Sequence, residues 1–91
     1  MHFEWDLEKA ASNLEKHGVS FEEATSVFGD PLASTVRDAL HSLDEQRFLT
    51  TGHSSEQRVL IVWHTERDNG IRIIGARDAT TQERRVYESG E

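Results

Sequence analysis

The feature that most constrains the fold is a pair of apolar segments separated by a tight turn in the C-terminal half. Residues 58–65 (Arg-Val-Leu-Ile-Val-Trp-His-Thr) contain five consecutive apolar residues, Val59 to Trp63, which is typical of a central strand covered on both faces. Residues 66–70 end in Asn-Gly, a strong hairpin signal. We therefore expect residues 71–77 to run back antiparallel to the first segment.

Two capped helices are predicted at the start of the chain. Asp6 is placed to cap the first, and Gly18 to end it in the left-handed conformation. Ser20 and Glu23 have the capping-box spacing for the second, which is expected to end at residues 29–31, Gly-Asp-Pro. The apolar positions expected on the buried stripes are Leu7, Ala10, Ala11 and Leu14 in the first helix and Phe21, Ala24, Val27 and Phe28 in the second.

Weaker signals complete the sheet and close the chain. Residues 32–36 and 47–51 are candidate strands. Thr80 and Glu83 repeat the capping-box spacing and start a last helix through about Tyr87. The predicted fold is α+β, with two N-terminal helices, a three- to four-stranded antiparallel sheet and a C-terminal helix.

The composition is that of one small hydrophilic domain over residues 1–91. A chain of 91 residues buries only a modest core, so a deep cofactor cavity is not expected. The net charge of -7 argues against a protein that coats nucleic acid indiscriminately. The absence of cysteine excludes disulfides and thiolate metal sites, and suits a reducing compartment. With no signal peptide or membrane span expected, the predicted location is the cytoplasm.

Arginine is concentrated where the apolar strands are predicted. Residues 58–85 hold six of the ten basic side chains, and all six are arginine. The planar five-donor guanidinium binds phosphate in a fixed geometry, so an anionic partner is one interpretation. The other is that these arginines pair with nearby carboxylates, for which the sequence offers Glu66, Asp68, Asp78 and Glu83.

The residue types present suit a reaction that needs no metal. The five histidines lack the spacing of a zinc motif, and the chain has no Walker loop, dinucleotide fingerprint or nucleophile elbow. Cleavage of RNA through its own 2'-hydroxyl needs a base, an acid and positive charge on the transition state. The side chains that could move protons are His17, His64, Glu45 and Tyr87.

Each of these candidates also has a purely structural interpretation. Lys16 and His17 fall in the last turn of the first helix, where cations interact favourably with the helix dipole. His64 alternates with apolar residues and could lie at a strand end. Tyr87 could be the apolar anchor of the last helix, with its hydroxyl at the surface.

Several motifs taken together resemble the BrnT family of type II toxins. They include residues 13–24 (Asn-Leu-Glu-Lys-His-Gly-Val-Ser-Phe-Glu-Glu-Ala), 73–77 (Ile-Ile-Gly-Ala-Arg) and 83–87 (Glu-Arg-Arg-Val-Tyr), and the match runs nearly the whole chain in order. The resemblance implies a RelE-like ribonuclease fold and metal-independent cleavage of mRNA that arrests translation. It also implies a hetero-oligomer with a BrnA-like ribbon-helix-helix antitoxin, through which any contact with DNA would be indirect.

The resemblance also suggests site residues. Arg77 and Arg84 are the first candidates for contact with the phosphate. Position 75 is glycine where the family commonly has serine, so a hydroxyl contribution is absent there. The further candidates are Arg67, Arg72, Tyr87, Lys16 and His17.

A second hypothesis is a non-catalytic binding module. Its arginine surface would bind an acidic partner chain and act with a DNA-binding partner in operon autoregulation. This hypothesis rests on the absence of an evident general base in the sequence.

Overall fold

A computed structural model describes residues 1–42 and 45–90; Leu43, Asp44 and Glu91 lie outside them. The described part forms a five-stranded sheet with three α-helices. In chain order the elements are strand β1 His2–Glu4, helix α1 Leu7–His17, helix α2 Phe21–Ser26, a 3₁₀ turn Val27–Gly29, strand β2 Ser34–Arg37, a 3₁₀ turn Ala39–His41, strand β3 Arg47–His53, strand β4 Val59–Arg67, strand β5 Gly70–Asp78 and helix α3 Thr81–Ser89.

The sheet is larger than predicted and is mixed. Its strand order is β1-β5-β4-β3-β2, and the β1–β5 pair is parallel whereas the other pairs are antiparallel. The prediction of three or four antiparallel strands was therefore wrong, because it omitted β1. A three-residue strand with one apolar residue, Phe3, has no detectable alternation, so its existence depends on pairing with a segment almost seventy residues away.

The β4–β5 hairpin is confirmed, but its Asn-Gly pair has a different role from the one expected. The residue with positive φ is Asp68, at 50°. At Gly70 an added Cβ would lie 2.6 Å from the backbone oxygen of His2 in β1. Gly70 is thus required because β1 approaches closely.

Helix α1 has the predicted ends but not the predicted buried stripe. Asp6 accepts a hydrogen bond from the N–H of Lys9 at 3.0 Å, and Gly18 has a φ of 68°. However, Leu7 is 80% exposed and Leu14 53% exposed, while of the four predicted positions it is Ala10 that packs against the core. The predicted stripe was wrong because α1 contacts the sheet at β5 in an orientation that leaves Leu7 and Leu14 facing solvent.

A polar side chain on α1 fixes its position instead. The Asn13 amide donates to the carbonyl oxygens of Val19 and Ala76, both at 2.9 Å, and its Oδ1 accepts from the Ala76 N–H at 3.2 Å. These two bonds to Ala76 satisfy backbone groups of β5 beyond the residues that β1 pairs with.

Helix α2 packs as predicted on one face of the sheet. Phe21 and Ala24 are fully buried, as is Val27 in the following turn. Arg58 anchors this layer, because its Nε and Nη2 donate to the Glu23 carboxylate at 2.7 and 2.6 Å. The core on this face consists of Val19, Phe21, Ala24, Val27, Leu60, Val62, Ile73 and Ala76.

Helix α3 packs on the opposite face, here called the α3 face. Thr80 and Glu83 form the complete predicted capping box. The core on this face is smaller: Val59, Ile61 and Ala79, with Leu49, Trp63 and Tyr87 partly buried against them. A nine-residue helix leaves much of the α3 face uncovered. None of the helices in the described part is long and apolar enough to cross a membrane.

Candidate functional site

Strand register brings three arginines to the α3 face. Thr65 in β4 pairs with Arg47 in β3 and with Arg72 in β5. Directly opposed residues project to the same face, and Thr65 lies two residues beyond Trp63, which packs on the α3 face. Arg77 reaches this face as well, since it pairs with Ile61.

A groove lies between the exposed part of this face and α3. It has a volume of about 400 Å³. Most of its wall is apolar, and Arg77 and Glu83 are the charged residues that line it. The apolar lining residues are Val36, Leu49, Ile61, Trp63, Val86 and the ring of Tyr87. Such a combination of apolar walls with a few fixed polar groups is typical of ligand sites.

Arg77 is held in a defined orientation within this groove. Its Nη1 and Nη2 donate to the two carboxylate oxygens of Glu83 at 2.8 and 3.0 Å. Its Cζ lies 5.3 Å from the ring centroid of Trp63, a cation–π contact. The hydrogen bond from Arg77 lowers the pKa of Glu83 to about 2, and the same pair raises the pKa of Arg77, so both groups are charged at neutral pH.

The other predicted arginines occupy different surroundings. Arg72 contacts Glu4 at 3.4 Å, and Arg67 contacts Glu45 at 3.4 Å. Such partly exposed pairs contribute little stability and exchange readily for another anion. Arg84 is exposed on α3 and lines a second cavity, of about 360 Å³, together with His53. The structure therefore does not bring the two first candidates, Arg77 and Arg84, into one cavity.

The carboxylate-pairing interpretation holds for part of the arginine set. Arg77 pairs with Glu83 as the sequence suggested, and Arg58 contacts Asp78 at 3.4 Å. The closer partner of Arg58 is Glu23. Glu23 is distant from Arg58 in the sequence, so a search among neighbouring residues does not find it. Within residues 1–42 and 45–90, Arg47, Arg84 and Arg85 make no ion pair.

Tyr87 lines both cavities, and its hydroxyl is already engaged. It donates a short hydrogen bond to the Asp30 carboxylate. That bond raises the pKa of Tyr87 to about 12. The Asp30 carboxylate therefore opposes the deprotonation of Tyr87 that a general base would require.

The histidine and lysine candidates lie away from the groove. Lys16 and His17 are exposed at the end of α1 and line a separate small cavity with Ile74. His64 is 3% exposed, and burial lowers its pKa to about 4. The ring of His64 belongs to the core rather than to an exposed strand end. Glu45, also a candidate for proton transfer, pairs with Arg67.

Two residues of this surface were missed as candidates. Trp63 was not among the predicted site residues, yet it lines the groove and contacts Arg77. Arg47 was not selected because its relation to Arg72 depends on register across two strand pairs. The alternation of side chains along β3 and β4 could have placed Arg47 on the same face as Arg72. That inference needs the register between the strands, which the sequence does not give.

Potential metal ligands do not converge on this surface. Across the described residues, no group of three or more His, Asp or Glu side chains is arranged to hold a metal ion. The groove's chemistry is that of a guanidinium, a carboxylate and an aromatic ring.

Comparison with known proteins gives the family. Residues 5–83 match the model of the family described as ribonuclease toxin, BrnT, of type II toxin-antitoxin system. The 1.1 Å crystal structure of the Brucella abortus ribonuclease toxin BrnT superposes with a TM-score of 0.71 over 89% of this chain and 99% of that chain, at 19% identity. At that identity the likeness shows the fold alone. No curated protein sequence matches the chain. Because the family model spans most of its length, this chain belongs to the BrnT family of type II toxins.

Proposed function

We propose that this chain is a metal-independent endoribonuclease with a RelE-like fold, which cuts RNA through the 2'-hydroxyl and thereby arrests translation. Family membership supports the ribonuclease class. The observation that carries the proposal is the convergence of Arg47, Arg72 and Arg77 on the uncovered α3 face beside the groove. An RNA strand crossing this face would meet several guanidinium groups that can bind its phosphates, of which Arg77 is held in a defined orientation.

Catalysis is assigned mainly to charge and alignment. In 2'-hydroxyl cleavage, negative charge grows on the phosphoryl oxygens, and a preorganised arginine stabilises it. Arg77 is the best placed, because Glu83 and Trp63 restrict its motion. Neither His64, which is buried, nor Tyr87, whose proton is held by Asp30, is suited to act as the base. No side chain is therefore assigned as the base: as the 2'-oxygen attacks phosphorus and the bond to the 5'-oxygen breaks, solvent water takes the 2'-hydroxyl proton and returns a proton to the departing 5'-oxygen.

A substrate substitution tests the chemistry directly. A labelled single-stranded RNA is incubated with the purified protein in excess EDTA, and the cut position is mapped. The same oligonucleotide is then made with 2'-deoxy sugar at that position alone. We expect cleavage of the first, leaving 2',3'-cyclic phosphate, and none at the mapped position of the second. Cleavage of the deoxy substrate there, or a requirement for metal, would contradict the proposal.

The partner follows from the family. We assign to this toxin a BrnA-like antitoxin with a ribbon-helix-helix part, so that DNA is contacted through the antitoxin in a hetero-oligomer. Membership of a type II toxin-antitoxin family supports a protein antitoxin. Co-expression tests this assignment: such an antitoxin should restore growth and co-purify with the toxin.

A second function, a non-catalytic binding module, is favoured by one observation. Val36 and Val86 line the groove and are 55% and 46% exposed, which suits contact with a protein. Under this alternative the protein binds its antitoxin through the groove and cleaves no RNA. Loss of antitoxin binding in Arg77→Ala, with a wild type inactive on free RNA and on translating ribosomes, would favour it.

A further inference from the structure

We propose that Glu83 is a positioning residue, which holds one edge of the Arg77 guanidinium so that the other edge stays free for an RNA phosphate. This inference rests on the proposed function and deepens it. Glu83 does not contact the phosphate itself in this account; it acts through Arg77.

The hydrogen bonds of Arg77 leave a defined pair of donors. A guanidinium has five N–H groups, one on Nε and two on each Nη. Nη1 uses both of its donors, one to Glu83 at 2.8 Å and one to the backbone oxygen of Asp78 at 3.0 Å. Nη2 uses one, to the second Glu83 oxygen at 3.0 Å. Among the described residues, Nε–H and the remaining Nη2–H have no partner.

These two donors are adjacent. Nη2 lies on the same side of the guanidinium as Nε–H, so the two free N–H groups form the side-on fork that binds two oxygens of one phosphate. The Glu83 carboxylate occupies the end-on fork instead. Arg77 therefore binds its carboxylate and retains a complete phosphate-binding edge, on a side chain that is 31% exposed and lines the groove.

The surroundings of the pair fix its geometry further. Glu83 is itself oriented, because its Oε1 also accepts from the Thr80 N–H at 2.8 Å. Trp63 contacts Arg77 through the ring. In-plane bonds from Glu83 and Asp78, together with this cation–π contact, restrict rotation about the last bonds of the arginine. Such restraint is what makes a donor effective as charge develops in a transition state.

Charge alone suggests the opposite effect, in which Glu83 competes with phosphate for Arg77. Competition and positioning make contrary predictions. If the carboxylate merely competed with phosphate for Arg77, then Glu83→Gln would strengthen RNA binding and speed cleavage. If it positions Arg77, the substitution weakens both, because a Gln amide has only one oxygen to accept from the guanidinium and its N–H₂ group would face the second N–H donor. The sign of the change therefore decides between them.

The main experiment measures single-turnover cleavage of the labelled RNA in EDTA by wild type, Arg77→Ala and Glu83→Gln. Positioning predicts that the maximal rate of Glu83→Gln falls by about 10- to 100-fold, with a smaller change in half-saturating protein concentration. An unchanged or faster rate in a folded Glu83→Gln protein, with Arg77→Ala inactive, would overturn the inference while leaving the proposed function intact.

Thr80→Ala is the matched control for helix stability. It removes the hydroxyl that accepts the Glu83 N–H at 3.1 Å, and so weakens the same cap without altering the Arg77–Glu83 contact. Thermal unfolding of the two variants is compared. The control is expected to cleave within about twofold of wild type; an equal loss in both would show that Glu83 acts through the helix alone.

Two further readouts distinguish positioning from general structural support. The double variant, which combines Arg77→Ala with Glu83→Gln, should cleave no more slowly than Arg77→Ala. Once the guanidinium is removed, residue 83 has no group to orient. Added methylguanidinium should partly restore cleavage to Arg77→Ala but not to the double variant, because the carboxylate is what seats the free cation. Additive losses and rescue of both proteins would contradict the inference.

A binding measurement decides the inference even if cleavage is not observed. A fluorescent single-stranded 2'-O-methyl RNA cannot react through its blocked 2'-oxygen, so its affinity reports on RNA binding without cleavage. We expect weaker binding by both Arg77→Ala and Glu83→Gln than by wild type. Tighter binding by Glu83→Gln, or affinity that neither substitution alters, would overturn it.

Discussion

At the scale of single residues, His64 shows how burial changes chemistry. Its ring lies between Phe28 and Phe48, with centroids 4.9 and 5.8 Å away, and Nε2 is 2.7 Å from the Thr50 hydroxyl. Burial lowers its pKa to about 4. Such a ring is neutral at physiological pH, so its contribution is to packing and to the dependence of stability on pH.

The predicted effect of pH follows from that shift. Because the pKa in the folded state is below the usual 6.5, the contribution of His64 is complete above pH 6.5 and is lost as the pH falls towards 4. Protonation of His64 in the unfolded chain should lower the free energy of unfolding by about 2 kcal/mol between pH 7 and pH 5. Urea unfolding at the two pH values measures this. In His64→Leu the decrease should largely disappear, and an equal decrease in both proteins would contradict the assignment.

The identity of the arginine partners could be predicted only in part. Glu83 lies six residues from Arg77, so a search among near neighbours included it. Glu4 and Glu23 reach Arg72 and Arg58 from across the chain, and no local pattern reports such a contact. For the same reason the sequence suggested an anionic partner without locating the face that would bind it.

At the scale of elements, the tight approach of β1 to β5 gives a clear test. An added Cβ at Gly70 would lie 2.6 Å from a backbone oxygen of β1, whereas one at Gly29 would meet nothing within 4 Å. We expect Gly70→Ala to lower the free energy of unfolding by roughly 1–3 kcal/mol. Gly29→Ala, the control, should change it by less than about 0.5 kcal/mol. Equal values in urea titrations would refute the parallel pairing.

The elements differ in how far the sequence determined them. Helix ends were predictable because caps are local: Asp6, Ser20 and Thr80 each accept the expected N–H. The buried side of α1 was not, since Leu7 and Leu14 satisfy the helical period but find no layer to pack against. Strand β1 was missed because it exists only through pairing with β5.

At the scale of the whole molecule, a net charge of -7 coexists with a local arginine surface. The long-range field of such a protein opposes RNA binding, so under the proposed function we expect the affinity for RNA to come from short-range contacts on the α3 face. Contact with about three phosphates predicts that log K falls with log salt concentration with a slope near −2.

The salt dependence separates this face from general charge. Arg77→Ala should reduce the slope by about 0.7, the loss of one phosphate contact. Arg37 is exposed in β2, where it follows Val36 of the groove and so projects to the other face. Arg37→Ala makes the same change in charge and should leave the slope nearly unaltered. Equal effects would indicate attraction without a defined site. Titration of the 2'-O-methyl RNA at several salt concentrations gives these slopes.

The proposed function requires Arg77 on the α3 face for RNA cleavage. The most direct measurement is the single-turnover rate of RNA cleavage in excess EDTA for wild type, Arg77→Ala and Arg37→Ala. We expect a loss on the order of 100-fold in Arg77→Ala, corresponding to about 3 kcal/mol of transition-state stabilisation, and a rate close to wild type in Arg37→Ala. Cleavage at close to the wild-type rate by a folded Arg77→Ala protein would contradict the proposed role of Arg77.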